Sequence, residues 1–334
     1  VEITDNIVEF LPATESHVYI STVGDRTKVV TLGKHHAPLD GKSGTFDESM
    51  ICLGLFPSRK DCFLFANKPE SSATAASTRT YFLSDLRNQQ TREIVKLPDG
   101  FNPIAVVGEI PQDCIAVIAR EYQDLQSLPE LDSNQLPSPV RERYLACWDL
   151  SHSKVLWRTP ATQDEFRLPK TSQNGSYLSF ILERKVMLLD CKTGNQHELG
   201  DFSGMQIAST CFSADGKQLL VAIADNLIRC FETQTGKQRW MLRTPGSPIS
   251  DLAWSKDLDT IVCVSQDGYL RMFDANLLQM TIELPLPTKH PTTVKLSPEE
   301  DWIYVLGKDG SLIRIPCNRS PDARVSPSDL LPHG

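Results

Sequence analysis

Three stretches of the chain repeat 42 residues apart, and that period limits the fold more than any other feature of the sequence. Ser213-Ala214-Asp215-Gly216, Ser255-Lys256-Asp257-Leu258 and Ser297-Pro298-Glu299-Glu300 fall in step, as do the turns Asp225-Asn226, Asp267-Gly268 and Asp309-Gly310. Each of these turns leads into an apolar run: Leu227 to Phe231, Tyr269 to Phe273 and Ser311 to Ile315. A further run follows at Gln238 to Leu242 and at Met280 to Leu284. One period thus holds four short strands, two of them joined by an Asp-led tight turn. No segment keeps a 3.6-residue apolar period, so the expected class is all-β.

Four antiparallel strands in about 42 residues is the period of a propeller blade, in which each sheet packs face to face on its neighbours around a channel. Phe212 to Lys217, Leu296-Ser297-Pro298 and Cys147-Trp148-Asp149-Leu150 resemble WD-repeat blades. Thr235 to Trp240, with Leu150 to Trp157, is similar to the blades of quinoprotein-like (YVTN-type) propellers. The resemblance covers residues 101–317 well and the first hundred poorly.

Candidate innermost strands extend the frame backwards: Ile7 to Leu11, Ile51 to Phe56, Ile104 to Ile110, Phe166 to Thr171, Gln206 to Phe212, Ile249 to Ser255 and Thr293 to Ser297. The expectation is a seven-bladed propeller in one domain, residues 1–317, with blades at about 7–50, 51–98, 104–160, 166–200, 206–243, 249–285 and 293–317 plus 1–4, followed by a flexible polar tail at 318–334. The last blade lacks an outermost strand. Val1-Glu2-Ile3-Thr4 is expected to supply it, closing the ring and removing an exposed edge, as WD-repeat propellers do. Two intervals between innermost strands are long because Lys68 to Arg79 and Gln123 to Arg141 are Pro/Ser-rich insertions, each between the second and third strands of its blade.

Composition excludes several classes. Lys+Arg 34 against Asp+Glu 42 gives a net charge of −8, which repels phosphate backbones and argues against nucleic acid as a partner. The longest apolar runs, such as Ile104 to Val107 and Cys114 to Ala119, are far short of the roughly 20 residues that cross a bilayer, so no membrane insertion is expected. The nine cysteines are an odd number, sit mostly inside apolar runs and form no CxxC, which reads as reduced core thiols and a cytoplasmic setting. The chain begins with Val, which leaves open a removed targeting segment or a longer parent chain.

Catalytic motifs fail on inspection. Gly41-Lys42-Ser43 lacks the earlier glycine of a phosphate loop, since position 36 is His, and no HExxH or GxSxG is present. His35-His36 with Asp40 is the one compact metal-like cluster and is read as a solvated loop, so no metal or cofactor is expected. Quinoprotein enzymes stack their cofactor on Trp beside a frequent vicinal disulfide. No two cysteines here are adjacent, and Trp157 and Trp240 are assigned to blade contacts. The WD-repeat resemblance implies a polar network around the Asp of the turn before the third strand. Asp225, Asp267 and Asp309 hold that position; Ser265, His290 and Trp148 are candidate partners, no blade carries the full set, and the role expected of these Asp residues is structural.

The inserted loops remain. Second-to-third-strand connections of consecutive blades emerge on one rim, so both should stand side by side. Glu121, Asp124, Glu130 and Asp132 make the second acidic around the apolar anchors Leu125, Leu128, Leu131 and Leu136, which suits a basic or amphipathic protein or peptide. The functional expectation is therefore a non-catalytic scaffold or sensor module. The alternative is a propeller enzyme (hydrolase, lyase or dehydrogenase), which would need converging charged or metal-binding side chains at the channel mouth.

Overall fold

The structure, a computed structural model, describes residues 7–12, 17–23, 26–32, 44–45, 50–56, 62–67, 80–85, 92–98, 100–122, 141–162, 166–200, 202, 204–255, 259–297, 300–309 and 311–317. Among them there is no helix, and hence none long and apolar enough to cross a membrane. Every sheet is antiparallel with its strands in chain order. The first holds β1 (Ile7–Pro12), β2 (His17–Val23), β3 (Arg26–Leu32) and β4 (Gly44–Thr45); the second β5 (Met50–Phe56), β6 (Cys62–Asn67), β7 (Tyr81–Asp85) and β8 (Arg92–Val95). The third holds β9 (Pro103–Ile110), β10 (Cys114–Tyr122), β11 (Arg141–Asp149) and β12 (Lys154–Arg158); the fourth β13 (Arg167–Thr171), β14 (Tyr177–Leu182), β15 (Lys185–Asp190) and β16 (Gln196–Leu199). The fifth holds β17 (Ile207–Phe212), β18 (Gln218–Ile223), β19 (Leu227–Glu232) and β20 (Gln238–Arg243); the sixth β21 (Ile249–Ser255), β22 (Thr260–Ser265), β23 (Tyr269–Asp274) and β24 (Gln279–Pro285). The seventh has three strands, β25 (Pro291–Leu296), β26 (Trp302–Gly307) and β27 (Leu312–Pro316).

The first strand of each sheet from the second onward lies beside the first strand of the next: β5 on β9, β9 on β13, β13 on β17, β17 on β21 and β21 on β25. Behind this line the sheets stack, and the core is a series of layers between them. Strand periodicity explains why. Side chains alternate between faces, so a strand covered on both sides must be apolar at every position. In β18, Leu219 and Val221 pack toward the fourth sheet while Leu220 and Ala222 pack toward the sixth. In β22, Ile261 and Cys263 face the fifth sheet, and Val262 and Val264 the seventh. Outermost strands lack this double cover, and Leu156, Met241, Met280 and Ile282 are exposed on them.

A repeated serine explains the first turn of the unit. Ser172, Ser213 and Ser297 each accept the backbone N–H five residues on, from Tyr177, Gln218 and Trp302, at 3.0, 2.9 and 3.1 Å. Ser255, at the same place in the sixth sheet, donates its hydroxyl to Glu300 Oε2 of the seventh sheet at 2.7 Å. Trp157 also joins neighbours: its Nε1 donates to the Cys191 carbonyl at 2.6 Å, from the third sheet to the fourth. Trp240 packs in the layer between the fifth and sixth sheets.

Among the described residues no sheet closes and no strand pairs with the free edge of β27. Residues 1–4, expected there, lie outside the described residues, as do the tail 318–334 and the His35-His36-Asp40 and Gly41-Lys42-Ser43 segments. One boundary is corrected. Arg141, read from sequence as the end of the second insertion, belongs to β11 and pairs with Tyr122, so the β10–β11 ladder runs unbroken to the base of the insertion at 123–140.

Candidate functional site

Strand order fixes which connections share a rim. The first strands begin, the second strands end and the third strands begin at the same end of each sheet, so every second-to-third connection leaves from that end. At the second and third sheets the ends are tied together directly. Tyr81, opening β7, donates its hydroxyl to Asn102 Oδ1 at 3.0 Å and contacts the Pro103 carbonyl at 3.2 Å, while Arg120 N–H near the end of β10 donates to the Asn102 carbonyl at 3.0 Å. The strand ends flanking 68–79 and 123–140 are therefore neighbours. Glu121 lies in β10 opposite Glu142 of β11. Asp124, Leu125, Leu128, Glu130, Leu131, Asp132 and Leu136 lie outside the described residues.

The three turn aspartates differ in what they hold. Asp225 is exposed, and its neighbour Asn226 ties the turn, donating Nδ2 to the Gly246 carbonyl at 2.6 Å. Asp267 takes two guanidinium bonds from Arg271, at 3.2 and 2.8 Å, and backbone N–H bonds from Ser247 and Tyr269. Arg271 is only 3% exposed, donates Nε to Glu283 at 2.8 Å and lies over the Tyr269 ring. Asp309 accepts the Ser311 N–H at 3.0 Å and the Ser311 hydroxyl at 2.5 Å.

The candidate partners carried by the resemblance do not make this network. The ring of His290 is exposed and only its backbone is engaged; Thr288, buried, takes the place beside Asp309. Ser265 is fully buried in β22 and makes no hydrogen bond to Asp267. Trp148 packs edge-on to Phe101 in the layer between the second and third sheets, and its Nε1 has no partner among the described residues.

Burial opposes ionisation of Asp267, but the bonds from Arg271, Ser247 and Tyr269 outweigh it and hold the carboxyl below the usual range. The Ser311 hydroxyl and N–H do the same for Asp309, against burial. A depressed folded-state pKa gives stability that is complete above the unfolded value and lost as pH falls through the folded one. Asp267→Asn is therefore expected to flatten the loss of stability below about pH 4 and leave its shape above about pH 5 unchanged, read from urea midpoints across pH. An unchanged acid limb would remove Asp267 from the acid response.

A cluster missed in the sequence crosses the innermost strands of four sheets. Ser209 Oγ of β17 donates to Asp251 Oδ1 of β21 at 2.5 Å, and Val294 N–H of β25 donates to Asp251 Oδ2 at 3.0 Å. Lys170 Nζ of β13 reaches Ser209 Oγ at 3.3 Å and Asp251 Oδ1 at 3.5 Å. Ser, Lys and Asp together invite a nucleophilic reading. Ser209 at 1% and Asp251 at 8% exposure are closed to a substrate, and both carboxylate oxygens are spent on neighbouring strands, so the arrangement works as a clamp.

Among the described residues no three His, Cys, Asp or Glu converge to hold a metal. Cys114, Cys147, Cys191, Cys211, Cys230, Cys263 and Cys317 are free thiols. Burial pushes Cys230 and Cys263 up to about 12, and burial with the Asp190 charge does the same for Cys191. Thiolate is the reactive form, so these three are expected to resist iodoacetamide at about pH 8 until urea unfolds the chain; labelling at one rate with and without urea would contradict their burial.

Residues 236–274 match the family described as WD domain, G-beta repeat. The match starts in the turn before β20 and ends with β23, so the sequence unit takes the outermost strand of one sheet and three strands of the next. No curated protein matches the chain. A WD repeat set in an array of four-stranded antiparallel sheets is consistent with a WD-repeat β-propeller, a fold whose domains are typically non-catalytic and act as protein-interaction scaffolds.

Proposed function

We propose that this WD-repeat chain is a non-catalytic protein-binding module that engages its partner through the rim from which 68–79 and 123–140 depart. The observation that supports this reading is the joint of Tyr81, Asn102, Pro103 and Arg120, because it makes neighbours of the strand ends from which the two insertions depart. Glu121, Asp124, Glu130 and Asp132 around Leu125, Leu128, Leu131 and Leu136 favour a basic or amphipathic partner segment, whose apolar side chains would seat among the leucines while its charges meet the carboxylates.

The same reading includes a ring of seven blades. The sequence unit straddles two sheets, so the last sheet is left one strand short, and residues 1–4 are the segment we assign to the edge of β27. A closed ring holds the rim rigid, and rigid presentation lowers the entropic cost of binding.

The test replaces 123–140 with a short Gly-Ser turn between Tyr122 and Arg141, where the ladder already ends. Intact and shortened proteins of equal thermal stability are compared as baits in pull-downs from native lysate. A partner held by the intact protein and lost by the shortened one supports the module; identical partner sets reduce the insertion to decoration.

A further inference from the structure

One end of the interface between the fourth and fifth sheets opens into a pocket of about 340 Å³. It lies on the same rim as the insertions, one sheet further along. Ile181, Met205 and Ile207 give it an apolar floor; Arg167, Arg184 and Gln206 give it a polar lip. Both arginines are exposed, and neither has an ion-pair or hydrogen-bond partner among the described residues. No described carboxylate lines the pocket, although Glu183 precedes Arg184 in the β14–β15 turn. Two guanidiniums facing one cavity with no counter-ion among the described residues is an unusual local charge on a chain whose net charge is −8.

The backbone is shaped to keep them there. Leu168, Glu183 and Arg184 have φ of 49°, 48° and 71°, a region that costs ordinary residues about 1 kcal/mol or more. The left-handed Leu168 belongs to a bulge in which the β13–β14 register shifts between Arg167 and Lys170. Its effect is to bring two cations an odd number of residues apart onto the one face that meets the fifth sheet: Lys170 joins the Ser209–Asp251 clamp, and Arg167 stands at the pocket. Arg229 braces Met205 of the lining, donating Nη2 to its sulfur at 3.6 Å while lying over the Phe202 ring.

We propose that this pocket binds an aspartate or glutamate side chain flanked by an aliphatic residue, presented by a peptide segment of a partner protein. The planar guanidinium forks suit a carboxylate, which can accept two parallel N–H bonds from one of them. The apolar floor takes the neighbouring aliphatic side chain, and a cavity of this size admits a side chain or two but no folded surface. Charge complementarity selects the ligand: an acidic segment is repelled by most of this protein and attracted at this place. The site adds to the rim an oppositely charged subsite, and it stands or falls independently of the inserted loop.

The probe is a fluorescein-labelled, N-acetylated hexapeptide pool with Asp or Glu at the central positions between aliphatic residues. A matched pool carries Asn or Gln there, and a third carries phosphoserine. Binding is read by anisotropy at low salt on the wild type, Arg167→Glu, Arg184→Glu, the 123–140 replacement and Lys217→Glu, a control at the opposite end of the fifth sheet with an 81% exposed side chain. The acidic pool should bind at least about tenfold tighter than the amide pool, each arginine variant should lose about tenfold or more, a loss of about 1.4 kcal/mol, and the control and the loop variant should bind as wild type. Equal binding of acidic and amide pools, or an equal loss in Lys217→Glu, overturns the proposal. So does a clear preference for phosphoserine, or a gain of about tenfold on removing 123–140, which would make the chain's own acidic segment the occupant.

Discussion

Asp251→Ala is expected to destabilise the protein by about 3 kcal/mol or more, because it orphans three groups at once. Val294 N–H loses its acceptor at 3.0 Å, the Ser209 hydroxyl loses its own at 2.5 Å, and Lys170 loses its counter-ion at 3.5 Å. Two of these groups are buried, and an unmade bond there costs the full desolvation of the group. Asp251→Asn separates the contributions. An amide oxygen can still accept from Val294, while its NH2 cannot accept from Ser209, so this variant should fall between wild type and alanine. Urea unfolding at constant slope measures the order. An alanine variant within about 0.5 kcal/mol of wild type would mean that the clamp carries no load across the four strands.

Gly108→Ala should follow, at about 2 kcal/mol. A Cβ on Gly108 would stand 2.0 Å from Thr171 Oγ1 and 2.7 Å from Thr171 Cγ2. Gly108 is in β9 and Thr171 in β13, so the contact is between innermost strands of adjacent sheets, which must move apart or twist to admit a methyl group. The neighbour is removable. In Gly108→Ala/Thr171→Ala both clashing branches are gone, and of the three nearest atoms the Thr171 Cβ, at 2.9 Å, remains. The double variant should recover about 1 kcal/mol relative to the sum of the single changes. Strict additivity would show that the two strands are not held at this distance.

The all-β repeat was legible in the sequence for a physical reason: each unit solves the same packing problem, so its punctuation recurs. Ser213, Ser255 and Ser297 end the first strands at equal spacing, and the innermost strand read at Ile249 to Ser255 is β21 residue for residue. Legibility fell where partners come from different units. Asp251 could be seen to lie 42 residues after Ser209, but nothing along the chain says that Ser209 bonds it while β13 delivers Lys170 and β25 an N–H. Arg271 looked like one residue of an apolar strand, yet it is the buried cation that organises Asp267 and Glu283. Residue type alone points to His290; the backbone of the loop turns its ring outward and brings in Thr288 instead. The arginine pocket was invisible for the same reason, since Arg167, Arg184 and Met205 meet only when two sheets pack.

Layered cores have an energetic consequence of their own. With apolar contacts divided among the gaps between consecutive sheets, the free energy of each sheet depends mainly on the two it touches, and the protein approaches a chain of coupled units with nearest-neighbour terms. Opening can then begin at a weak gap and spread sheet by sheet rather than everywhere together. Native-state hydrogen exchange should resolve this as graded protection, highest for the β18 and β22 amides, which have a layer on either side, and lower in the three-stranded seventh sheet.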